Sequence, residues 1–291
     1  EVRESFAAFG STTLDGALPR PLPIRGVMGD SQASLFGQRC FDPGDAKVTL
    51  GTGASVMLNI GAKPAFSSQG VVTALAWVRG GVPTYALEGI IISAASALTW
   101  LRDRLGLYAG LGEPEAMARE LADNEGVYLV PAFSGLGLPH WQPEARAAIT
   151  GLSGHSDRRH VVRAALEAVA YQLYDVIAAL RAETLVPLRV LRADGGPTAN
   201  GWLMQFIADI TGVELRVAPT AEGSARGAAI AGLMGAGVYA SPEAIKAAVG
   251  GDLVHTPAMA PARAERLRAG WHRAVRSVLP APGESPSTGP A

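Results

Sequence analysis

Asp30 follows the short apolar run Gly26-Val27-Met28-Gly29 and stands just ahead of a segment with helical character. A carboxylate at the end of a strand, before a helix, is presented into a cleft, where it can accept the proton of an attacking hydroxyl. The same position also suits a helix N-cap, and residue type alone leaves both readings open. Three glycine-rich turns accompany it: Gly51-Thr52-Gly53, Gly195-Gly196 and the segment around Gly227. Glycine lets the backbone approach phosphate closely, and successive N–H groups in such turns form an anion-binding nest. Thr52 adds a hydroxyl between two glycines, although this turn taken alone is also ordinary hairpin geometry. Asp194, directly before the second glycine pair, reads more readily as an Asx-turn residue than as an acid or base.

Composition removes several function classes. Lys+Arg 25 against Asp+Glu 26 leaves a net charge of −1 over 291 residues, so there is no basic field to hold a nucleic-acid backbone. Mean hydropathy is +0.19, yet no run of about 18 apolar residues occurs, and no membrane span is expected. The single Cys40 rules out an internal disulfide or a CxxC pair, and the five histidines show no metal-ligand spacing. No GxGxxG follows a first strand and no GxxxxGK[ST] is present, which disfavours Rossmann and Walker nucleotide sites. A cytoplasmic α/β protein without a metal site of its own is the expectation. Cys40 is expected to be a small buried residue, His160 a capping or packing residue, and the five tryptophans core or contact residues. Arg263, Arg266, Arg268, Arg273 and Arg276 fall on the last helix, where a solvated face is expected.

The elements that must position these residues separate cleanly. Gly26 to Gly29 predicts a short buried strand, and Ser31 to Gly37 a short helix with Ser31 near its N-cap. Val48 to Leu50 and Ser55 to Ile60 flank the Gly51-Thr52-Gly53 turn as a β-hairpin. Val71 to Val78 and Pro83 to Leu87 predict two more antiparallel strands. After Gly89 the pattern turns helical through Arg104, with Leu98, Leu101 and Leu105 at helical spacing. The clearest helix runs from Asp157 to Ala182, capped by Ser156, with Val161, Val169, Leu173, Val176 and Leu180 on its apolar stripe. A strand from Leu188 to Ala193 enters Asp194-Gly195-Gly196. A helix from Thr198 to Ile210, a strand from Glu214 to Val217 and a helix from Ala225 to Gly235 follow. The fold class is therefore α/β, a mixed sheet flanked by helices. Residue 1 is Glu, with no initiator Met, so the sequence reads as a piece of something longer. The Pro/Gly/Ser-rich end predicts a disordered tail over 280–291, leaving one domain over 1–279.

Five motifs stand in order: Gly29-Asp30-Ser31-Gln32, Leu50-Gly51-Thr52-Gly53, Tyr85-Ala86-Leu87-Glu88-Gly89, Val130 to Leu136, and Asp194-Gly195-Gly196. A longer signature runs from Ala147 through Gly151-Leu152 and His160-Val161 to Glu167. Together these resemble the C-terminal half of the FGGY carbohydrate kinases, the glycerol-phosphorylating members most of all, over residues 1 to about 239. The resemblance implies an actin/hexokinase-like (ribonuclease H-like) ATPase domain, with ATP in a cleft between two such domains. It implies Asp30 as the catalytic base, which also holds the substrate hydroxyls, with Ser31 beside it at the substrate. Gly51, Thr52 and Gly53 would lie at the ATP phosphates, and Ala95, Thr99, Gly195, Gly196 and Asn200 at the nucleotide. Asn200 lies four residues after Gly196, so both are expected to face the same base or ribose.

ATP and Mg2+ are the implied cofactors, and glycerol or a similar polyol the implied acceptor. Ser31 in place of the family's Gln keeps a kinase for another polyol or a ketose such as xylulose open. The family's other half, the N-terminal kinase domain with most polyol contacts, has no counterpart in the sequence. These residues alone are therefore expected to bind nucleotide weakly and to lack useful turnover, and a non-catalytic nucleotide-binding module of the same fold is the alternative. Homo-oligomer formation is expected from the same resemblance.

Overall fold

The computed structural model describes residues 1–248 and 250–280. In chain order the elements are β1 (Gly10–Thr12), β2 (Leu22–Ile24), α1 (Asp30–Gly37), β3 (Asp45–Leu50), β4 (Ala54–Gly61), β5 (Val72–Arg79) and β6 (Val82–Ile91). Then come α2 (Ser96–Asp103), α3 (Glu113–Glu120), β7 (Tyr128–Val130), β8 (Ala148–Thr150), α4 (Arg158–Ala182) and β9 (Val190–Asp194). A 3-10 turn at Gly196–Ala199 leads to α5 (Gly201–Thr211), β10 (Leu215–Val217), α6 (Gly223–Gly235), α7 (Pro242–Ala248), β11 (Leu253–His255) and α8 (Pro261–Arg276). The expected tail lies, from residue 281 onward, outside the described residues.

Seven strands form the central sheet in the order β11-β10-β9-β3-β4-β6-β5. β9 pairs in parallel with both β3 and β10, and the remaining pairs are antiparallel, which is the expected mixed sheet. Strand alternation divides the side chains between two cores. Ala46, Val48 and Leu50 of β3 and Val56 and Leu58 of β4 face the large core built with α4, α5 and α8. Met57 of β4 and Ala86 of β6 face a second core with Phe36 of α1 and Ile230 of α6. Lys47 and Thr49, offset by one residue from the first set, fall on the α1 face. That alternation furnishes the floor of the site.

Several local expectations need correction. Residues 25–29 form no strand, and Val27 is 51% exposed, because the preceding β2 pairs with β1 and no strand lies beside 25–29. Ile90 and Ile91 extend β6, with Ile91 opposite Ala54, so helix α2 begins only at Ser96 and Leu105 lies beyond it, 46% exposed. The long helix is capped by Asp157 rather than Ser156: Asp157 accepts from Arg159 N, and the His160 side chain accepts from Asp157 N in a reciprocal capping box. The helix expected over 198–210 is interrupted at Asn200, which caps α5. Cys40 is fully buried, which pushes its thiol pKa up. Trp77 and Trp271 are buried, whereas Trp141 is exposed.

Helices α4 and α8 are joined by one carboxylate. Asp175 accepts from Trp271 Nε1 at 2.7 Å and faces His272 Nε2 at 2.8 Å. Asp175→Ala strands the buried indole N–H, and a loss of about 1–3 kcal/mol is expected in a denaturant titration. The carboxylate also holds His272 above its ordinary 6.5. A raised folded-state pKa contributes stability in full below 6.5 and loses it as pH rises through the folded value. The gap between wild type and variant should therefore narrow as the pH rises above 6.5 and through the raised folded-state value.

Candidate functional site

Asp30 is the first residue of α1, and the N-cap is Gly29, which makes no side-chain cap bond. The N-cap readings of Asp30 and Ser31 are thus both replaced. Asp30 Oδ1 accepts from Ser31 N at 2.7 Å, which orients the exposed carboxylate, and Ser224 Oγ of α6 donates to the Asp30 carbonyl at 2.9 Å. The Gly51-Thr52-Gly53 turn closes on itself through Gly51 N–H to Gly53 O at 2.8 Å. Its carbonyls then serve α2: Thr52 O accepts from Ala94 N (2.8 Å) and Ser96 N (3.2 Å), and Gly51 O from Ala95 N (3.1 Å). A helix start with no side-chain cap is satisfied by the turn instead. Ala95 and Thr99 are thereby anchored beside Thr52.

The parallel pair β3–β9 brings the Gly195-Gly196 turn to the same place, with Thr49 opposite Asp194. Gly195 has φ +98°, and a Cβ there would overlap the Leu50 carbonyl, so only glycine passes. Beyond it, Gly196 opens the 3-10 turn, and Asn200 Oδ1 accepts from Leu203 N at 2.9 Å. Gly196 and Asn200 therefore meet across a turn, not along one α-helix.

These residues border three adjoining depressions. The first, about 230 Å³, is lined by Asp30, Ser31, Gly51, Thr52, Gly53 and Ser224, with a polar floor. The second, about 420 Å³, shares Thr52 with the first and contains Thr99. The third, about 460 Å³, shares Thr99 with the second and contains Ala95, Gly196 and Asn200 among apolar residues such as Leu98, Tyr108 and Leu203. Three depressions in series, meeting at Thr52 and at Thr99, thus lead from a carboxylate to an apolar slot of nucleoside size. Gly195 does not line it; its tight backbone turn positions Gly196.

The floor of the first depression was not legible in the sequence. Lys47 Nζ donates to Thr49 Oγ1 (3.2 Å) and Ser55 Oγ (3.1 Å), and Ser55 Oγ donates to Glu88 Oε1 (2.7 Å). Ser34 Oγ contacts Thr49 Oγ1 at 2.9 Å and donates to Asp194 Oδ2 at 3.0 Å. Asp194 is therefore a buried member of this network and not an Asx-turn residue, and its Oδ1 has no partner among the described residues. The one available signal was a lysine between two apolar strand residues, Ala46 and Val48. A further cavity of about 360 Å³ lies between α8 and the β7–β8 pair, and it contains none of the candidate residues. On that helix Arg266, Arg273 and Arg276 are exposed, as expected of a solvated face, while Arg263 and Arg268 are half-buried and donate to Ala122 O and Ile210 O.

Residues 46–236 match the FGGY family of carbohydrate kinases, C-terminal domain. The chain belongs to that family. It is similar to the glycerol kinase of Desulfitobacterium hafniense, 43% identical over 279 residues that cover 96% of this chain and 56% of the relative. Its structure resembles that of Plasmodium falciparum glycerol kinase with ADP, at a TM-score of 0.89 and 33% identity, covering 97% of this chain and 56% of that one. It also resembles the xylulose kinase of Rhodospirillum rubrum, at a TM-score of 0.77 and 27% identity, covering 95% and 56% of the two chains. The FGGY chain thus has the actin/hexokinase-like fold and spans about 56% of the length of the relatives it matches. Among the described residues no helix is long and apolar enough to cross a membrane, and no group of three or more His, Cys, Asp or Glu side chains is placed to hold a metal ion.

Proposed function

We propose that the protein carrying this chain is a cytoplasmic, ATP-dependent polyol kinase that converts glycerol to glycerol 3-phosphate, with residues 1–279 as its C-terminal nucleotide-binding domain. The observation that carries the reading is the series of adjoining depressions, with Asp30 at one end and the apolar slot of Ala95, Gly196 and Asn200 at the other. The slot suits an adenosine, with Leu98 and Leu203 offering apolar walls and Asn200 a polar edge. Thr52, midway, suits the phosphates. ATP with Mg2+ supplies the phosphoryl group and neutralises its charge when bound.

Asp30 takes the proton of the acceptor hydroxyl, whose oxygen forms the new bond to the γ-phosphorus as the bond to the bridging oxygen of ADP breaks. Ser31, beside it, offers a hydroxyl to the polyol. The rest of the polyol site and the closure that excludes water would come from outside these residues, so the 291-residue polypeptide by itself is read as binding nucleotide without turnover. Association into a homo-oligomer belongs to the same reading.

A coupled ADP-release assay on the full-length protein with a panel of polyols and ketoses tests it. The highest kcat/KM is expected for glycerol; a higher value for xylulose would favour the ketose reading, which Ser31 and the likeness to a xylulose kinase support. The slot has its own test. Thr99→Trp, which fills the junction of the second and third depressions, is expected to weaken ATP binding by roughly tenfold or more, about 1.4 kcal/mol. The KM for glycerol should stay within about twofold. Unchanged ATP affinity in calorimetry would remove the nucleotide from that slot.

A further inference from the structure

The floor beneath Asp30 holds a charge that the reading above leaves unused. Lys47 is 1% exposed, and its ammonium lies on the α1 face of β3. Its two hydrogen bonds go to neutral hydroxyls, Thr49 and Ser55. Hydroxyls also stand between it and the carboxylates of Glu88 and Asp194, with Ser55 bonding Glu88, and Ser34 linking Thr49 to Asp194. Among the described residues no carboxylate forms an ion pair with it. Burial pushes its pKa down, and the fields of Asp194, Glu88 and Asp30 oppose that shift. A buried cation met only by neutral groups is poorly compensated. An ammonium has three donors, so one remains beyond the two in use. Lys47 lines the same depression as Asp30, Thr52 and Ser224, so an anion entering there can complete it.

We propose that Lys47 is a further phosphoryl-binding residue, whose ammonium takes a charged oxygen of the phosphoryl group as it passes to the hydroxyl held by Asp30. This rests on the kinase reading. Catalytic weight is expected because a positioned donor in a water-poor site acts most strongly on charge present during transfer. The hydroxyls of Thr49 and Ser55 hold the ammonium in place before the ligand arrives.

The test compares full-length wild type with Lys47→Met, Lys47→Arg and Ser55→Ala. Lys47→Met is expected to lower kcat by at least about thirtyfold, with the glycerol KM and the ADP dissociation constant within about twofold. Its melting temperature should hold or rise, because an apolar chain of similar length replaces a buried charge. Lys47→Arg should recover part of the loss, and Ser55→Ala, which keeps the charge but removes one anchor, should lower kcat by roughly threefold to tenfold. A Lys47→Met protein with kcat within twofold of wild type, or one that loses kcat only together with ADP binding and melting temperature, overturns the assignment. If Lys47→Met does not fold, an unchanged kcat in Ser55→Ala together with a loss in Lys47→Arg no larger than its unfolded fraction explains does the same. A wild-type protein that binds ADP but phosphorylates no polyol or ketose instead overturns the kinase reading itself.

Discussion

Asp30→Asn in the full-length protein is expected to lower kcat on glycerol by at least about a hundredfold, with ADP affinity unchanged. Asparagine keeps the shape of the side chain, and its carbonyl oxygen can still accept from Ser31 N as Asp30 Oδ1 does. It cannot take up a proton. The loss should therefore appear in kcat, since the groove and the apolar slot are untouched. Single-turnover kinetics separates the chemical step from product release, and the decrease belongs to the former. Turnover within about threefold of wild type would assign the base elsewhere.

Gly227→Val is expected to cost about 3 kcal/mol or more of stability, because added volume in a closed contact forces backbone apart. A Cβ on Gly227 would overlap the Ala33 carbonyl and approach Gly37 N of α1, neither of which can rotate away. The two helices cover one face of the sheet, where Phe36, Leu35, Ile230 and Met234 pack together. Catalysis is coupled to this contact, since Asp30 opens α1 and Ser224 of α6 holds its carbonyl. Displacing α1 by about an ångström is enough to cost on the order of a hundredfold in rate. Denaturant midpoints for Gly227→Ala and Gly227→Val, read against activity under native conditions, check both effects. A valine variant as stable as wild type would contradict the closeness of α1 and α6.

The groove's two ends were legible for different reasons. The β3–β4 hairpin and the α4 helix announce themselves, because a glycine turn between apolar runs and a stripe over twenty-five residues are local signals. Asp30, Thr52, Gly196 and Asn200 were reached through motifs, and the structure gathers them along one groove. What joins them is not local. The parallel pairing of Thr49 with Asp194 links distant parts of the chain, and the capping of α2 by the Thr52 carbonyl involves backbone atoms that no side chain reveals. Lys47 is silent in the sequence because Ser55, one of its two hydrogen-bond partners, and Glu88 beyond Ser55 come near it only through strand register. Five of the six three-residue strands, β1, β2, β7, β8 and β11, are too short to show a period, and residues 26–29 differ from the expectation because a brief apolar run does not distinguish a buried strand from an extended segment.

Nucleotide is expected to occupy the groove between Asp30 and the Asn200 slot. Backbone amide resonances of the 291-residue chain, followed by heteronuclear NMR during titration with ADP, test it most directly. The largest shifts are expected at Thr52, Thr99, Gly196 and Asn200, falling off toward Asp30 and Ser31. Shifts confined to Gly126, Thr150, Gly151 and Gly270, around the cavity between α8 and β7–β8, would place the nucleotide elsewhere and contradict the account.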